Sequence, residues 1–315
     1  GAFTHEFLFE LIQKYGGDPN VKSVEDLEKK FEFQDFPHFI ETWSWKNKFF
    51  RQPQDFENCT YATLKNLHEQ NVVYVEAFCS PWDFLENDIR VEEITEATLS
   101  GVRRAREEFG IRCALIADII RDLSAETATE RVRQMLPFKD RGVIGIGLGG
   151  SEQKYPPELF ADAFELARNY GLHVVAHAGE SAGPESIWSA IDALRVERIG
   201  HGVRAIEDEN LLHALEDMRI PLEICVTSNI KTGVFPDYQK HPLRDLYKKD
   251  LLLTVNSDDP TMFGSSLTEE FFILHDELKF STKEINQLVI NAVGASFLDE
   301  EEKEKLTKQI SSDQR

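Results

Sequence analysis

The stretch at residues 172–180 ends a strand-like run on groups able to do metal or acid–base chemistry. Leu172, Val174, Val175 and Ala176 are apolar and partly β-branched, which is typical of a strand covered on both faces. His177 and Glu180 follow at its end and in the next loop. An imidazole can bind a metal ion, and a carboxyl group can give or take a proton. An isolated H-x-x-E is more typical of a core histidine beside a solvated carboxylate than of a functional site.

Two later strand ends carry groups of compatible type. His201 follows the sixth strand of a notional eight, and Asp258 and Asp259 follow the eighth. Each has a simpler interpretation, because G-H-G is typical of a turn and Asp-Asp-Pro of a turn and helix cap. In a (β/α)₈ barrel, however, the strand ends converge on one pocket. Residues far apart in the sequence are then expected to share one metal ion.

These residue types fit a catalytic zinc site. A neutral imidazole and a carboxylate suit Zn²⁺, which lowers the pKa of bound water to about 7. His177 and Asp258 would supply two ligands, whereas catalytic zinc usually takes three from the protein. Glu180, close to the metal but not bound to it, would give a proton to a ring nitrogen. His201 would either orient the water or take its proton.

Strands and helices alternate along most of the chain, which predicts a parallel sheet wrapped in helices. The predicted strands lie at residues 72–78, 113–119, 143–148, 172–176, 198–203, 221–226 and 251–255. We predict a TIM (β/α)₈ barrel with extra helices, whose first strand precedes Gly1. A doubly wound open sheet is the alternative. The glycine run 145–150 does not predict a dinucleotide site, because no helix opens directly on it.

A single domain over residues 1–315 is the simplest organisation. Residues 18–54 form a predicted helical insertion, and residues 265–315 a set of closing helices. The insertion is aromatic on several sides, which is compatible with a helix packed on the barrel or with a lid over an apolar pocket. Its aromatic residues include Phe36, Phe39, Trp43, Trp45, Phe49 and Phe50.

Composition restricts the partners and the compartment. The formal net charge of −21 disfavours nucleic acids and anionic membranes and favours a small neutral substrate. No apolar run reaches the roughly 20 residues of a membrane span. The four cysteines are scattered and form no C-x-x-C pair, which predicts free thiols in the cytoplasm.

Four sequence blocks resemble the signatures of the adenosine/adenine deaminase family of metal-dependent barrels. They are H-A-G-E at 177–180, R-I-G-H-G-V at 198–203, L-E-I-C-V-T-S-N-I-K-T-G at 222–233 and T-V-N-S-D-D-P at 254–260. The resemblance implies one Zn²⁺ per chain, held by His177 and Asp258. It also implies that Glu180 protonates N1 of a purine and that His201 assists the attacking hydroxide.

The resemblance implies two further substrate contacts. Asp259 would accept a hydrogen bond from the edge of the purine ring, and the backbone N–H of Gly150 would face another ring nitrogen. The family also carries H-x-H-L-D or H-x-H-L-E on its first strand, and neither His5 nor His38 forms such a pair. We therefore expect that motif to precede Gly1. Val226 stands where many relatives have proline, which alters little.

The reaction implied is hydrolytic replacement of the amino group at C6 of a purine, releasing ammonia. Adenosine is the leading substrate by resemblance, giving inosine, and adenine or a modified nucleoside such as an aminofutalosine is the alternative. A different metal hydrolase on the same barrel fits less well, since relatives with two metals usually lack the proton donor at Glu180. A non-catalytic barrel protein would follow if the H-x-H strand were truly absent.

Overall fold

A computed structural model describes residues 1–33 and 36–313, without the side chains of residues 36, 37, 39, 40, 312 and 313. The side chains of Phe36 and Phe39 therefore lie outside the described residues, as do residues 34–35 of the predicted insertion and 314–315 of the predicted C-terminal segment. The chain divides into two compact units. Unit 1 comprises Gly1–Ile120, Glu130–Gly145 and Asp258–Ser266, and unit 2 comprises Arg121–Thr129, Ile146–Ser257 and Leu267–Arg315. A single domain stays a prediction.

The elements follow one another as alternating strands and helices for most of the chain. In order they are α1 (His5–Lys14), α2 (Val24–Lys30), α3 (Phe36–Asn47), α4 (Pro53–Glu69), β1 (Tyr74–Cys79), α5 (Val91–Phe109), β2 (Arg112–Ile120), α6 (Ala128–Met135), β3 (Val143–Gly149), α7 (Ala161–Asn169), β4 (His173–Ala178), α8 (Pro184–Ser189), β5 (Arg198–His201), α9 (Glu209–Met218), β6 (Leu222–Ile224), α10 (Val226–Lys231), α11 (Leu243–Lys248), β7 (Leu253–Val255), α12 (Pro260–Phe263), α13 (Leu267–Asp276), α14 (Thr282–Ala295) and α15 (Glu300–Asp313). Short 3₁₀ segments connect several of them, including Pro81–Asn87 and Leu136–Arg141.

The strands pair in parallel and in chain order. In unit 1, Tyr74 of β1 is aligned with Arg112 of β2. In unit 2, β4 to β7 pair successively, with Ala178 aligned with His201. The order β1 to β7 without reversal is that of a (β/α)₈ barrel and excludes the doubly wound alternative, whose strand order reverses. The predicted TIM-type fold class is confirmed.

The predicted strands are all present, with ends that differ by two residues or fewer. Helix α10 was not predicted, because Val226 and Thr227 are β-branched and favour extended structure. The short helix α12 was also missed, since its four residues give no periodicity to read. No helix in the described ranges is long and apolar enough to cross a membrane.

The core of unit 1 is rich in phenylalanine. Phe49 and Phe50, at the end of the predicted insertion, are both buried. The Phe50 ring lies 5.1 Å from that of Phe56 on α4, and Trp45 packs against the same core while its Nε1–H donates to Asp18 at 3.0 Å. This part of the insertion is packed within unit 1, and its role as a lid stays a prediction.

The core of unit 2 is built around β4. Val174, Val175 and Ala176 are fully buried, as expected for a strand covered on both faces. Phe164 of α7 and Ile199 of β5 are also fully buried. The apolar packing fixes β4 and β5 side by side, and with them the polar residues at their carboxyl ends.

Candidate active site

His177 and His201 lie on neighbouring strands in unit 2. The pairing aligns His177 with Gly200 and Ala178 with His201. The two imidazole ring centroids are 5.2 Å apart, and Nε2 of His201 is 3.6 Å from Oε2 of Glu180. The structure thus brings three of the predicted site residues together, while their catalytic roles stay predictions.

The backbone at His201 is unusual. His201 has φ +60° and is followed by Gly202 with φ +66°. A side-chain-bearing residue in this left-handed region costs roughly 1–2 kcal/mol. The N–H of Gly202 donates to the carbonyl of Ala178 at 3.0 Å, which helps to hold the turn. Strain of this kind persists where the surrounding structure over-determines it, as at active sites.

Gly200 leaves room for the His177 ring. A methyl group at Gly200 would lie 3.3 Å from Cγ and 3.4 Å from Nδ1 of His177, tighter than ordinary contact. We expect Gly200→Ala to displace the imidazole and to weaken zinc binding by about 10-fold, as indirect disturbance of a metal ligand does. Competition with a chelator measures the affinity.

Gly294→Ala is the matched control for that substitution. Gly294 lies in α14, and a methyl group there meets nothing within 4 Å. Its zinc affinity should equal that of the wild type. Equal affinity in the Gly200→Ala protein as well would show that the ring is not confined at this point.

A buried carboxylate holds the loop that carries Glu180. Glu152 is 4% exposed and accepts hydrogen bonds from the backbone N–H groups of Gly179, Glu180, Ser181 and Ala182. Each bond is charge-assisted and therefore stronger than a neutral one. Sequence reasoning did not select Glu152, although its place after a strand was a usable signal.

Glu152 is ionised in the folded protein. Burial raises its pKa, but the N–H groups of Ala182 and Gly179, the Ser186 hydroxyl and the Arg121 guanidinium together bring the pKa below its ordinary value. Three of these four partners lie in or beside the Glu180 loop. The loop therefore has its conformation set by a fixed negative charge.

Arg121, at the carboxyl end of β2, fixes the end of β4. Its side chain is fully buried. One guanidinium nitrogen donates to the carbonyl of His177 at 2.5 Å and the other to the carbonyl of Tyr155 at 2.6 Å. The backbone that carries His177 is thus tied to two other segments of unit 2. This residue too was missed by sequence reasoning.

Gly150 occupies a tight turn after β3. Its φ is +98°, and a methyl group there would lie 2.5 Å from the Asp122 carboxylate. Asp122 accepts from the backbone N–H of Ser151 at 2.8 Å and from its hydroxyl at 2.6 Å. These two hydrogen bonds hold the turn in one conformation. The contact of the Gly150 N–H with a purine stays a prediction.

Asn229 and His241 are linked to the His201 side chain by hydrogen bonds. Nδ2 of Asn229 is 3.1 Å from Nδ1 of His201, and Oδ1 of Asn229 is 3.2 Å from Nε2 of His241. The Leu243 N–H donates to Nδ1 of His241 at 3.2 Å. Sequence reasoning did not select either residue, because Asn229 lies on the unpredicted helix α10 and His241 in a loop.

His241 is uncharged at neutral pH. Burial, and then the charge of His201, lower its pKa to about 3. An unfolded histidine titrates near 6.5, so the unfolded chain binds the extra proton between these values. The free energy of unfolding should therefore fall as pH drops from about 6.5 towards 3, by up to about 1.4 kcal/mol per pH unit.

Urea unfolding at pH 7 and pH 5 tests this effect. His241→Gln should flatten the pH dependence, whereas His213→Gln, at an exposed histidine on α9, should not. An unchanged slope in the His241→Gln protein would show that His241 is not the group responsible.

Asp258 and Asp259 belong to unit 1. Asp258 follows β7 by three residues and has φ +55°. Asp259 occupies the N-cap position of α12, yet its side chain makes no capping bond. Asp259 therefore has the helix-cap position that the sequence suggested, but its side chain does not cap the helix. The ligand role of Asp258 and the substrate contact of Asp259 stay predictions.

The donor types fit a divalent metal such as zinc. His177 offers an imidazole that packs closely against Gly200, and a second imidazole and a carboxylate lie beside it in unit 2. Zinc in proteins binds nitrogen and oxygen donors of these kinds. Asp258 is the further ligand that the sequence predicts.

The comparisons with known proteins agree with this chemistry. The adenosine deaminase family profile matches residues 1–313. The chain belongs to the adenosine deaminase family. An adenine deaminase from Acinetobacter baylyi is 37% identical over 311 residues, covering 99% of this chain and 93% of that protein. An adenine deaminase from Hahella chejuensis is 38% identical, covering 97% and 91%.

Solved structures extend the family likeness to the fold. The crystal structure of an adenine deaminase from Arthrobacter aurescens superposes with a TM-score of 0.93 at 30% identity, covering 99% of this chain and 95% of that one. The N6-methyl-AMP deaminase from Arabidopsis thaliana gives 0.86 at 27% identity, covering 99% and 93%. The chain is therefore an enzyme of the hydrolytic deaminase type, as predicted, and the non-catalytic alternative is set aside.

Proposed function

We propose that this protein hydrolyses adenine to hypoxanthine and ammonia. The observation that carries the proposal is the near full-length likeness, at 37–38% identity, to proteins named adenine deaminase. The leading expectation from sequence was adenosine, with adenine as the alternative. The relatives favour the alternative, so the free base replaces the nucleoside as the substrate we propose.

The proposed metal is one Zn²⁺ per chain, held by His177 and Asp258 together with further ligands. When bound, it supplies a hydroxide nucleophile at neutral pH. The imidazole and carboxylate types of the donors support zinc as the metal.

Glu180 is the proposed proton donor. It lies beside His201 and on a loop fixed by Glu152, so its carboxyl group has a defined position. Protonation of N1 makes C6 of the purine more electrophilic, because the ring then absorbs the electron pair as the C6–O bond forms. The proton of the new C6 hydroxyl then moves to the amino nitrogen, the C6–N bond breaks to release ammonia, and the C6 carbonyl of hypoxanthine forms. General acid catalysis of this kind contributes about 10²–10⁴-fold.

The remaining site residues bind and orient the substrate in this proposal. The Gly150 N–H, in a turn pinned by Asp122, faces a ring nitrogen. Asp259 accepts a hydrogen bond from the ring edge. His201 acts on the attacking oxygen. The net charge of −21 favours an uncharged purine over a phosphorylated one.

The substrate is tested by comparing kcat/KM for adenine, adenosine and N6-methyl-AMP, with zinc-loaded protein and ultraviolet absorbance as the readout. We expect adenine to exceed both others by about 100-fold, since sites that discriminate by hydrogen bonds and shape reach or exceed this ratio. A preference for adenosine would restore the nucleoside interpretation, and a preference for N6-methyl-AMP would align the chain with its Arabidopsis neighbour.

The compartment we propose is the cytoplasm. None of the four cysteines, Cys59, Cys79, Cys113 and Cys225, forms a disulfide. Burial raises the pKa of Cys79 and of Cys113 to about 12, so these thiols are held in the unreactive protonated form. Cysteines outside disulfides are typical of proteins in reducing compartments.

A further inference from the structure

A directional hydrogen-bond chain runs through unit 2 to His201. It starts at the backbone N–H of Leu243, passes His241 and Asn229, and ends on Nδ1 of His201, with heavy-atom distances of 3.2, 3.2 and 3.1 Å. These residues are outside the metal ligands and substrate contacts already described.

The direction of the chain is fixed at its start. Leu243 is the first residue of α11, and its N–H is one of the groups that a helix leaves without an internal partner. A backbone N–H can only donate, so Nδ1 of His241 must be the unprotonated nitrogen. The low pKa of His241, about 3, keeps its ring neutral. Its proton therefore lies on Nε2.

The same reasoning fixes the donor and acceptor roles of Asn229 and His201. Nε2–H of His241 needs an acceptor, which only the Oδ1 atom of the Asn229 amide provides. The Nδ2 group of Asn229 then faces His201 as a donor, so Nδ1 of His201 must accept. A neutral His201 with an accepting Nδ1 carries its proton on Nε2, the nitrogen that faces Glu180.

Burial makes reversal of the chain costly. The exposed fractions are 0% for Asn229, 4% for His241 and 2% for His201. Rotating the Asn229 amide by 180° would place its NH₂ group against the Nε2–H of His241 and its oxygen against the unprotonated Nδ1 of His201. Each buried polar group left without a hydrogen bond costs about 1–3 kcal/mol.

The surroundings also hold the two residues in place. The Asn229 N–H donates to the carbonyl of Cys225 at 3.1 Å, and the Asn229 carbonyl accepts from the N–H of Phe235 at 3.1 Å. The Phe235 ring packs edge-on against His241 at 5.2 Å. Asn229 and His241 are thus held by contacts within the segment between β6 and β7.

We propose that Asn229 and His241 are positioning residues that lock His201 in the tautomer protonated at Nε2. His201 then orients the attacking water by donating a hydrogen bond, and it does not take the proton of that water. Of the two roles that the sequence left open for His201, this tautomer selects the first. The tautomer follows from the contacts alone, whereas its catalytic consequence rests on the proposed function.

Nitrogen-15 NMR of zinc-loaded protein labelled at histidine tests the tautomer directly. The two nitrogen signals that are absent from the spectrum of the His201→Gln protein are those of His201. We expect the Nδ1 signal of His201 to have the deshielded shift of a bare imidazole nitrogen and the Nε2 signal the shift of a protonated one. The opposite pattern in the wild-type protein would overturn the proposal without need of any further variant.

Asn229→Asp provides the second test, because a carboxylate offers only acceptors to both histidines. We expect the His201 pattern to reverse, and kcat to fall by about 100-fold with KM changed by less than about twofold, within the usual range for acid–base positioning. Asn210→Asp, on exposed α9, is the matched control for the added charge. An unchanged His201 pattern in folded Asn229→Asp protein would refute the assignment.

The two proposals fail separately. The expected wild-type spectrum in a protein that deaminates no purine would overturn the proposed function and leave the tautomer assignment standing. Purine turnover by a protein whose His201 is protonated at Nδ1 would support the proposed function and overturn the tautomer assignment.

Discussion

Glu180→Gln is expected to lower deaminase turnover by about 10²–10⁴-fold while the zinc content stays at the wild-type level, the range expected for loss of a general acid. Glutamine has the shape of glutamate but no acidic proton to give to N1. Glu180 is not a proposed metal ligand, so metal binding should not change. Turnover of adenine and zinc analysis of the same sample measure both effects.

Glu216→Gln is the control, since Glu216 occupies an exposed position on α9, far along the chain from the site loop. It should have wild-type turnover. Near-normal turnover of the Glu180→Gln protein would remove Glu180 from the role of proton donor. Loss of zinc from it would instead make Glu180 a metal ligand.

Glu152→Ala is expected to destabilise the fold by about 3 kcal/mol and to lower kcat as well. The substitution removes the acceptor for four consecutive backbone N–H groups. A buried donor left unsatisfied costs about 1–3 kcal/mol, and relaxation or water recovers part of the sum. Since the same loop carries Glu180, its loosening should also misplace the proton donor.

Urea unfolding and steady-state kinetics measure the two effects of Glu152→Ala. Glu165→Ala, at an exposed position on α7, should change neither. The pKa of Glu152 is below its ordinary value in the folded state. Its stabilisation is therefore complete above the unfolded pKa of about 4.3 and is lost as pH falls through the folded pKa. The difference between wild type and variant should shrink in acid, and a difference below about 1 kcal/mol at pH 7 would contradict the anchoring role.

The sequence predicted the scaffold well because the strands are marked by composition. The run that forms β4 is apolar and β-branched, and it is fully buried in the structure. The placement of His177 and His201 at neighbouring strand ends followed from the parallel alternation of strands and helices. Their closeness in unit 2 agrees with that reasoning.

The residues that support the site were not predictable in the same way. Glu152 and Arg121 act through backbone groups of segments distant in sequence, and no local pattern reports such contacts. Asn229 lies on a helix with β-branched residues that favour a strand. Only the polar character of residues just after strands could have drawn attention to them. The choice of adenine over adenosine came from the relatives and not from any single residue of this sequence.

Simultaneous measurement of ammonia, hypoxanthine and bound zinc, with adenine as the substrate, tests whether the protein is a zinc-dependent adenine deaminase. We expect one ammonia for each hypoxanthine, at a rate that scales with zinc occupancy. Protein that carries a full complement of zinc and leaves adenine unchanged would refute this proposal.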